Sequence, residues 1–340
     1  MLNKVYELIQ PRQFEIVYKD MSLKGNRVIV HPTYLSICNA DQRYYQGLRS
    51  KSALAQKLPM ALIHEAIGCV IYDPTKTFKP NDTVVLIPNM PTESSDIIAE
   101  NYLRSSRFRA SGFDGFLQEY ISLAPDRAVK LPDGMNPYVA SFTELVSVSY
   151  HAISRFMRFS HIKKEKIGIW GDGNLGYITA LLLRYIFPDC ELHVFGVNAH
   201  KLKDFSFAHE THIVYDVENK IFLDHAFECV GGGGASSAIN QAIDLLHPEA
   251  TISIMGVSEE AVPINTRMVL EKGLRIFGSS RSGREDFIGL LDLYEKHPRI
   301  VNHLEKIIGA KVTIRHTADI KRAFEMDISK AMGKTIMIWI

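Results

Sequence analysis

Residues 167–177 read IGIWGDGNLGY and place Gly171, Gly173 and Gly176 in the spacing G-x-G-x-x-G. The run KIGIW at their start is typical of a buried strand, and the run GYITALLLRYIF that follows is typical of an apolar helix. A strand that turns into a helix through these glycines leaves backbone N–H groups free at the helix N-terminus, where a pyrophosphate can bind. The stretch therefore predicts a Rossmann unit that binds a dinucleotide.

The chain has two parts that differ in their pattern of predicted secondary structure. From Lys163 onward, strand-like and helix-like runs alternate: KIGIWG, GYITALLLRYIF, ELHVFGV, DHAFECVGG, SSAINQAIDLLH, ATISIMGV and LRIFGSS. Such alternation predicts right-handed βαβ units and a doubly wound parallel sheet. Roughly the first 150 residues instead hold short strand-like runs separated by turn residues, including RVIVHPTYLSI, AIGCVIYDP, DTVVLIP and FLQEYISL. We therefore expect an α/β protein with a second, β-rich domain.

Composition narrows the class of protein. The 340 residues are 46% hydrophobic and carry 39 basic and 38 acidic side chains, a formal net charge of +1. So balanced a charge gives no global field to attract nucleic acid or an anionic membrane. The four cysteines are far apart and form no C-x-x-C pair, which fits a reducing cytoplasm. Because the longest apolar run is broken by Arg184 and the N-terminus lacks a signal core, we expect a soluble, cytoplasmic protein.

The end of the second Rossmann strand bears on the choice of dinucleotide. An NAD site usually carries an acidic residue there to bind the ribose 2′-hydroxyl, but this chain has Gly196. Asn198, His200 and Lys201 follow as donors or positive charge, so NADP(H) is favoured. The alternative is that these are only exposed polar residues and that Asp204 or a backbone group serves NAD. The predicted cofactor-binding set also includes Asn174, Leu175, Cys229, Gly256 and Val257.

Potential metal ligands occur at three places in the chain. Cys38 lies in LSICNADQRYYQG, His64 and Glu65 are adjacent in MALIHEAIG, and Glu144 precedes a predicted helix in SFTELVSVSYHA. Each has an ordinary explanation: a buried thiol, a core histidine with its partner, and a carboxylate at a helix start. Together, however, thiolate, imidazole and carboxylate form a set suited to catalytic zinc, which needs three protein ligands and an open position.

These motifs, taken in order, resemble the zinc-dependent medium-chain dehydrogenase/reductase superfamily in its polyol dehydrogenase branch. The resemblance is carried by SICNAD, IHEAIG, SGFDGFLQEYISLAPDRAVKLPDG, ELVSVSYHA and GDGNLG. It implies a GroES-like β-rich catalytic domain over residues 1–146 and 283–340, and an NADP-binding Rossmann domain over residues 147–282. A homodimer or homotetramer is also implied, since the family commonly pairs sheets between subunits near LRIFGSS.

A closer resemblance is to the ribulose-5-phosphate reductases, through FECVGGGG, INQAIDLLHPEATISIMGVSEE and GLRIFGSSRSGRED. It implies that NADPH reduces the ketone of D-ribulose 5-phosphate to D-ribitol 5-phosphate, a precursor of the CDP-ribitol used in teichoic acid or capsule synthesis. The substrate would be a small phosphorylated sugar, and association with a cytidylyltransferase is implied. An NAD-dependent zinc polyol dehydrogenase is the nearest alternative, and a noncatalytic nucleotide-binding protein on the same fold is a further one.

The resemblance also assigns roles to individual residues. Cys38, His64 and Glu144 would bind one catalytic zinc, with Glu65 either a fourth ligand or an exchangeable neighbour. Asp41 would orient a ligand, or is a turn carboxylate. The substrate would be bound by Tyr44, Arg43, Arg281 and Arg284.

Three positions depart from the family pattern. The stretch NMPTESSDIIAENYLRSSRFRASG lacks the cysteines of the family's second metal site, so no structural zinc is expected. Ile63 replaces the usual glycine before the His-Glu pair, and Ala40 replaces a hydroxyl residue. Proton delivery must therefore use water, a zinc-bound carboxylate or another side chain.

Overall fold

The computed structural model describes residues 1–217, 221–330 and 332–340. The chain forms two compact units. The first unit contains Met1–Leu145 and Ser282–Ile340, and the second contains Val146–Arg281.

The elements are named here in chain order. The strands are β1 (Leu2–Gln10), β2 (Gln13–Asp20), β3 (Val28–Ser36), β4 (Met60–Ala61), β5 (Glu65–Tyr72), β6 (Thr83–Leu86), β7 (Asn89–Met90), β8 (Arg107–Phe108), β9 (Ile121–Leu123), β10 (Ala128–Lys130), β11 (Lys166–Trp170), β12 (Glu191–Gly196), β13 (Glu210–Ile213), β14 (Leu223–Glu228), β15 (Leu246–Ile254), β16 (Arg275–Gly278), β17 (Ile308–Ile314) and β18 (Lys334–Trp339). The helices are α1 (Asn39–Tyr45), α2 (Lys51–Lys57), α3 (Pro137–Ala140), α4 (Thr143–Phe159), α5 (Asn174–Ile186), α6 (Ala199–Leu202), α7 (Ala235–Leu245), α8 (Thr266–Glu271), α9 (Arg284–Lys296), α10 (Arg299–Glu305) and α11 (Thr317–Ser329).

The second unit is built on a parallel sheet with the strand order β13-β12-β11-β14-β15-β16. The predicted parallel sheet is therefore confirmed. The inner strands β11 and β12 are almost wholly buried, and Trp170 of β11 stacks on Phe195 of β12 with ring centroids 4.2 Å apart. The carboxyl ends of β11, β12 and β14 lie side by side, and that edge is where open α/β sheets bind ligands.

The first unit contains a sheet of order β10-β6-β5-β3-β18-β17, with β9 also paired to β3, and a smaller sheet of order β2-β1-β4. The terminal strand β18 pairs antiparallel with β3 and parallel with β17. Ser36 at the end of β3 is in register with Glu65 of β5 on one side and with Ile336 of β18 on the other. The start of β5 at Glu65 and the start of β18 at Lys334 therefore both lie beside the end of β3, which Cys38 follows.

Two features of this unit differ from the sequence expectation. The β1–β2 hairpin was not predicted. Of the predicted strand FLQEYISL, only Ile121–Leu123 forms a strand. The preceding residues instead bond to the backbone of residues 61–63: the N–H of Phe116 donates to the carbonyl of Ile63 at 2.6 Å, and the N–H of Leu117 donates to that of Leu62 at 3.2 Å. This segment thus supports the backbone that carries His64.

Within the described residues, no helix is both long enough and apolar enough to cross a membrane.

Candidate metal centre

Cys38 is positioned by the start of helix α1. It is the N-cap residue, with φ of −99° and ψ of 156°, and its backbone N–H donates to Oδ2 of Asp41 at 3.1 Å. Asp41 is the third residue of the helix, so its carboxylate bonds back to the cap as in a capping box. The thiol is therefore held at a rigid strand-to-helix corner.

His64 is positioned by a loop that Asp41 also supports. The N–H of Ile63 donates to Oδ1 of Asp41 at 2.9 Å, so a single carboxylate links the Cys38 corner to the His64 segment. Ile63 has φ of +72°, a left-handed conformation that costs a β-branched residue about 1–2 kcal/mol. The structure keeps this conformation without the family's glycine because both backbone groups of Ile63 are bonded and its side chain is buried.

The candidate ligands converge at this point. One ligand atom each from Cys38, His64 and Glu65 lie within 4.8 Å of one another. Glu144, in the first turn of α4, places Oε2 3.9 Å from Nε2 of His64. On the other side of the ring, Nδ1 of His64 lies 3.6 Å from Oδ2 of Asp41. The imidazole therefore directs one nitrogen to the ligand cluster and the other to a carboxylate, an arrangement common for metal-binding histidines.

The structure adds Lys334, which the sequence reasoning missed. Its side chain is buried at the start of β18, and Nζ donates to the carbonyl of Ile37 at 2.7 Å and lies 2.8 Å from both carboxylate oxygens of Glu65. Burial opposes the charge, but the carboxylate of Glu65 raises the pKa of Lys334 above its ordinary value. Glu65 is thus held by a buried ion pair as well as facing the cluster. The only sequence signal is a lysine that opens an otherwise apolar terminal strand.

The electrostatics of the cluster fit a divalent cation. Desolvation raises the pKa of the Cys38 thiol, and burial raises the pKa of Glu144 to about 7. Burial would lower the pKa of His64, but Asp41 and Cys38 beside it raise that pKa well above the usual value. Thiol and carboxyl groups that resist ionisation until a positive charge is near are suited to a site that receives one. The donor set of thiolate, imidazole and carboxylate therefore fits zinc.

Several cations surround the predicted substrate residue Tyr44, which is 2% exposed. The guanidinium of Arg49 lies 5.0 Å from the centre of its ring, and Nζ of Lys57 lies 5.9 Å from it. Burial and the charge of Arg49 lower the pKa of Arg43. Arg43, Arg49 and Lys57 therefore form a local cluster of positive charge, of which the sequence analysis named only Arg43.

The two predicted arginines of SSRSGRED fall in different units. Arg281 is the last residue of the second unit, whereas Arg284 opens α9 in the first. The guanidinium of Arg284 donates from one nitrogen to the carbonyls of Asp126 and Ala128, at 2.8 and 2.9 Å. These contacts of Arg284 thus fix the backbone that leads into β10.

In the second unit, the predicted glycine loop joins β11 to α5. A Cβ atom on Gly176 would lie 1.9 Å from the carbonyl oxygen of Gly171, whereas one on Gly173 would meet nothing within 4 Å. Gly176 is therefore required for close packing, and the space at Gly173 stays open for a ligand, as dinucleotide loops need.

Asp172 connects this loop to the end of β12. Its Oδ2 accepts from the N–H groups of Val197 and Asn198, at 2.9 and 2.8 Å. A Cβ atom on Gly196 would lie 2.8 Å from that same carboxylate oxygen, so packing against Asp172 explains the glycine at position 196. The side-chain oxygen of Asn198 caps α6 by accepting from the backbone N–H groups of His200 and Lys201. The hydrogen-bond donor that Asn198 could offer to a cofactor is therefore its side-chain amide nitrogen.

The other predicted cofactor residues also follow strands of this sheet. Cys229 directly follows β14 and is buried, while Gly256 and Val257 follow β15. The carboxylate of Glu228, which the sequence analysis missed, accepts from the N–H groups of Gly231 and Gly256, at 2.7 and 3.0 Å. This buried carboxylate ties the two loops together.

Comparisons with known proteins agree with this architecture. Residues 24–133 match the model of the alcohol dehydrogenase GroES-like domain, and residues 192–296 match that of the zinc-binding dehydrogenases. A ribulose-5-phosphate reductase from Bacillus spizizenii is 52% identical over 339 residues, covering 100% of this chain and 99% of the relative. The chain belongs to the zinc-dependent medium-chain dehydrogenases/reductases.

Within this family, the similarity to ribulose-5-phosphate reductases extends to other organisms. A reductase of that name from Streptococcus pneumoniae is 42% identical, covering 100% of this chain and 98% of the relative. The crystal structure of S. aureus TarJ in complex with NADPH is 46% identical, with a TM-score of 0.90 and complete coverage of both chains. The predicted combination of a GroES-like domain with a Rossmann domain is confirmed.

Proposed function

We propose that this protein is an NADPH-dependent, zinc-dependent reductase that converts D-ribulose 5-phosphate into D-ribitol 5-phosphate. The observation that carries this proposal is the convergence of Cys38, His64 and Glu65 in a chain that matches ribulose-5-phosphate reductases from end to end. The ketone would become a secondary alcohol by gain of a hydride and a proton. The product is a sugar phosphate suited to activation by cytidylyl transfer.

The residues of the cluster have separate tasks in this reaction. Cys38, His64 and Glu144 would hold zinc, with Glu65 as a fourth ligand or an exchangeable neighbour. When bound, zinc supplies Lewis acidity that polarises the ketone, and NADPH supplies the hydride. Asp41 fixes the ring of His64 and the backbone on both sides of the site, and Lys334 balances the charge of Glu65. With Ala40 in place of a hydroxyl, proton delivery is left to water or to a neighbouring side chain.

The substrate phosphate would be bound by the positive cluster around Tyr44. Helix α1 begins directly after Cys38, so Tyr44 lies about 9 Å along the helix axis from the thiol-bearing corner. That is the scale of a five-carbon sugar phosphate. Arg43, Arg49 and Lys57 supply charge there, and arginine is the residue best suited to bidentate phosphate binding. Arg281 remains a second candidate, whereas the contacts of Arg284 favour a structural role.

The cofactor would be bound along the carboxyl edge of the parallel sheet. The N–H groups at the start of α5 would receive the pyrophosphate beside Gly173, since that position is open. Asn198, His200 and Lys201 are exposed or half-buried next to Gly196 and would receive the 2′-phosphate of NADPH.

The deciding experiment measures initial rates of NADPH and NADH oxidation with D-ribulose 5-phosphate and with D-ribulose, before and after zinc removal by a chelator. We expect turnover of the phosphate with NADPH, loss of that turnover on chelation, and recovery on adding zinc. Cys38→Ser should lose activity and the zinc of the Cys38 cluster, whereas the matched control Cys69→Ser should keep both, because Cys69 lies in β5 away from the cluster. Equal rates with the free sugar and NADH would indicate a general polyol dehydrogenase instead.

The phosphate assignment is tested in the same assay with Arg43→Met, Arg49→Met and Arg281→Met. Loss of a charged hydrogen bond worth roughly 1.5–3 kcal/mol should lower kcat/KM for the phosphate substrate by about 10- to 150-fold and leave the slow turnover of D-ribulose unchanged. Arg284→Met is the control, because it should lower the unfolding temperature without changing the ratio of the two substrates. If the ratio of the rates with D-ribulose 5-phosphate and D-ribulose were unchanged in all the variants, these arginines would not bind the phosphate.

We also propose a homodimer or homotetramer that pairs the second units through β16. This strand lies at the end of the strand order in the parallel sheet, and an edge strand offers backbone groups for pairing with another copy. Light scattering on the purified chain tests the stoichiometry. Association with a cytidylyltransferase stays a prediction, to be tested by co-elution of the two purified enzymes.

A further inference from the structure

A second group of potential metal ligands lies at the edge of the parallel sheet. Strand β13 pairs with β12 so that His193 is in register with Glu210 and Phe195 is in register with His212. Glu210 and His212 are two residues apart on β13 and therefore point to the same face of the sheet. The register alone brings two imidazoles and a carboxylate together.

The distances within this group match those of a metal site. Nδ1 of His193 lies 3.1 Å from Nε2 of His212, and Oε2 of Glu210 lies 3.7 Å from each of these nitrogens. Ligands around tetrahedral zinc, with bonds of about 2.1 Å, are about 3.4 Å apart. The three atoms thus have the spacing of three corners of a tetrahedron, and the exposed side of Glu210 leaves the fourth corner to water.

The surroundings hold the rings in an orientation suited to ligation. His193 is 4% exposed, and its Nε2 has no hydrogen-bond partner but faces Oε2 of Glu191 at 3.7 Å. The ring of His212 stacks on Phe195 with centroids 4.7 Å apart. A ligating histidine commonly directs its second nitrogen to a carboxylate, as His193 does to Glu191.

We propose that His193, Glu210 and His212 bind a divalent transition-metal ion of the zinc type, using ligands other than those of the Cys38 cluster. The two imidazole ligands favour zinc, nickel or copper over calcium and magnesium. The ion would join the edge strand β13 to β12, and so would stabilise the folded second unit by an amount that rises with the logarithm of the metal concentration above the dissociation constant.

The test counts zinc in the full-length, tag-free protein. The protein is incubated with a small excess of ZnCl₂, separated from unbound metal by gel filtration and analysed by mass spectrometry for zinc per chain. We expect two zinc ions in the wild type and one in each of the variants His212→Gln and Glu210→Gln. The control His209→Gln should keep two, since His209 neighbours the group without belonging to it. Glu210 is exposed, so Glu210→Gln tests the site without a risk to folding.

A Cys38→Ser background separates this site from the proposed catalytic one. In that background we expect one zinc ion, which His212→Gln removes, and a rise in the unfolding temperature with added ZnCl₂ that His212→Gln abolishes. No zinc in the Cys38→Ser protein would overturn the proposal, and so would a second zinc that persists in both His212→Gln and Glu210→Gln. Neither result depends on the enzyme's activity or substrate.

Discussion

At the scale of single residues, Asp41 has more influence on the candidate zinc site than any sequence motif indicates. One oxygen accepts from the N–H of Cys38 and the other from the N–H of Ile63, and the carboxylate faces Nδ1 of His64. A neutral carboxamide could keep only one of these two acceptor positions. The positions of thiol and imidazole therefore depend on the full carboxylate.

Asp41→Asn should lower zinc affinity by about 10- to 100-fold, the usual effect of removing a partner of a metal ligand. Chelator competition at fixed pH measures the affinity. Asp73→Asn is the matched control, because Asp73 also accepts from two backbone N–H groups, those of Thr75 and Phe78, but in a turn outside the ligand cluster. The control should lose stability without loss of zinc affinity. Equal zinc affinity in Asp41→Asn and wild type would contradict the role given to Asp41.

Asn198 provides a test of cofactor choice that leaves the fold unchanged. Its side-chain oxygen caps α6, and aspartate caps helices equally well, so Asn198→Asp should fold normally. The new carboxylate would repel a 2′-phosphate but not a 2′-hydroxyl. We expect KM for NADPH to rise about tenfold or more, which corresponds to a repulsion of about 1.4 kcal/mol, while KM for NADH stays constant or falls. A parallel rise in both KM values would show that Asn198 does not contact the 2′ position.

At the scale of elements, the turn from β11 to α5 contains two glycines that its fold requires and one that it does not. Gly176 packs against the carbonyl of Gly171, which has φ of +128°, so both residues serve the fold of the turn. Gly173 has ordinary extended backbone, with φ of −91°, and open space at its Cβ position. The fold therefore has no need for glycine at 173, and we expect the bound dinucleotide to be the reason for it.

Gly173→Ala should accordingly leave the unfolding temperature of the cofactor-free protein unchanged but weaken NADPH binding, because a methyl group would stand where the pyrophosphate approaches. Gly176→Ala should lower the unfolding temperature, since its methyl group would overlap a backbone carbonyl that cannot move away cheaply. Differential scanning fluorimetry with and without NADPH measures both effects. A wild-type shift with NADPH in Gly173→Ala would place the pyrophosphate elsewhere.

At the scale of the whole molecule, sequence patterns predicted features that lie within one segment of the chain. Contacts between distant segments depend on how the strands pair and could not be predicted. We could predict the glycine loop, the alternating strands and the types of metal ligand from the sequence, because each lies in a continuous segment. Lys334 could not be assigned to Glu65, because the two residues meet only after β18 inserts beside β3. The pairing of His193 with His212 likewise depends on the register of β12 and β13. Sequence also gave no sign of the contacts that occupy Arg284.

Buried and half-buried histidines make the stability of the protein depend on pH. Burial lowers the pKa of His161, His193, His212, His225 and His303. Each of these groups takes up a proton more readily in the unfolded chain, so their contributions to stability are complete above the unfolded pKa of about 6.5 and decline as the pH falls. His64 acts in the opposite direction in the metal-free protein, since its pKa is raised. All of these histidines except His303 and His64 lie in the second unit, so mild acid should lower the stability of that unit.

His225 should show the strongest dependence of stability on pH, because both of its ring nitrogens form hydrogen bonds in the neutral form. Nε2 bonds to the carbonyl of Lys163 at 2.9 Å, so it is the donor, while Nδ1 accepts from the N–H of Thr251 at 3.2 Å. Protonation of Nδ1 would break the second bond, and burial lowers the pKa of His225 to about 3. Between pH 7.5 and pH 5, the wild type should therefore lose about 2 kcal/mol that His225→Gln does not lose. Urea unfolding in a Trp339→Phe background, followed by the fluorescence of buried Trp170, measures the second unit alone. The stability difference between wild type and His225→Gln should shrink as the pH falls, and a difference that stays constant over this range would show that His225 accepts a proton without leaving its place in the core.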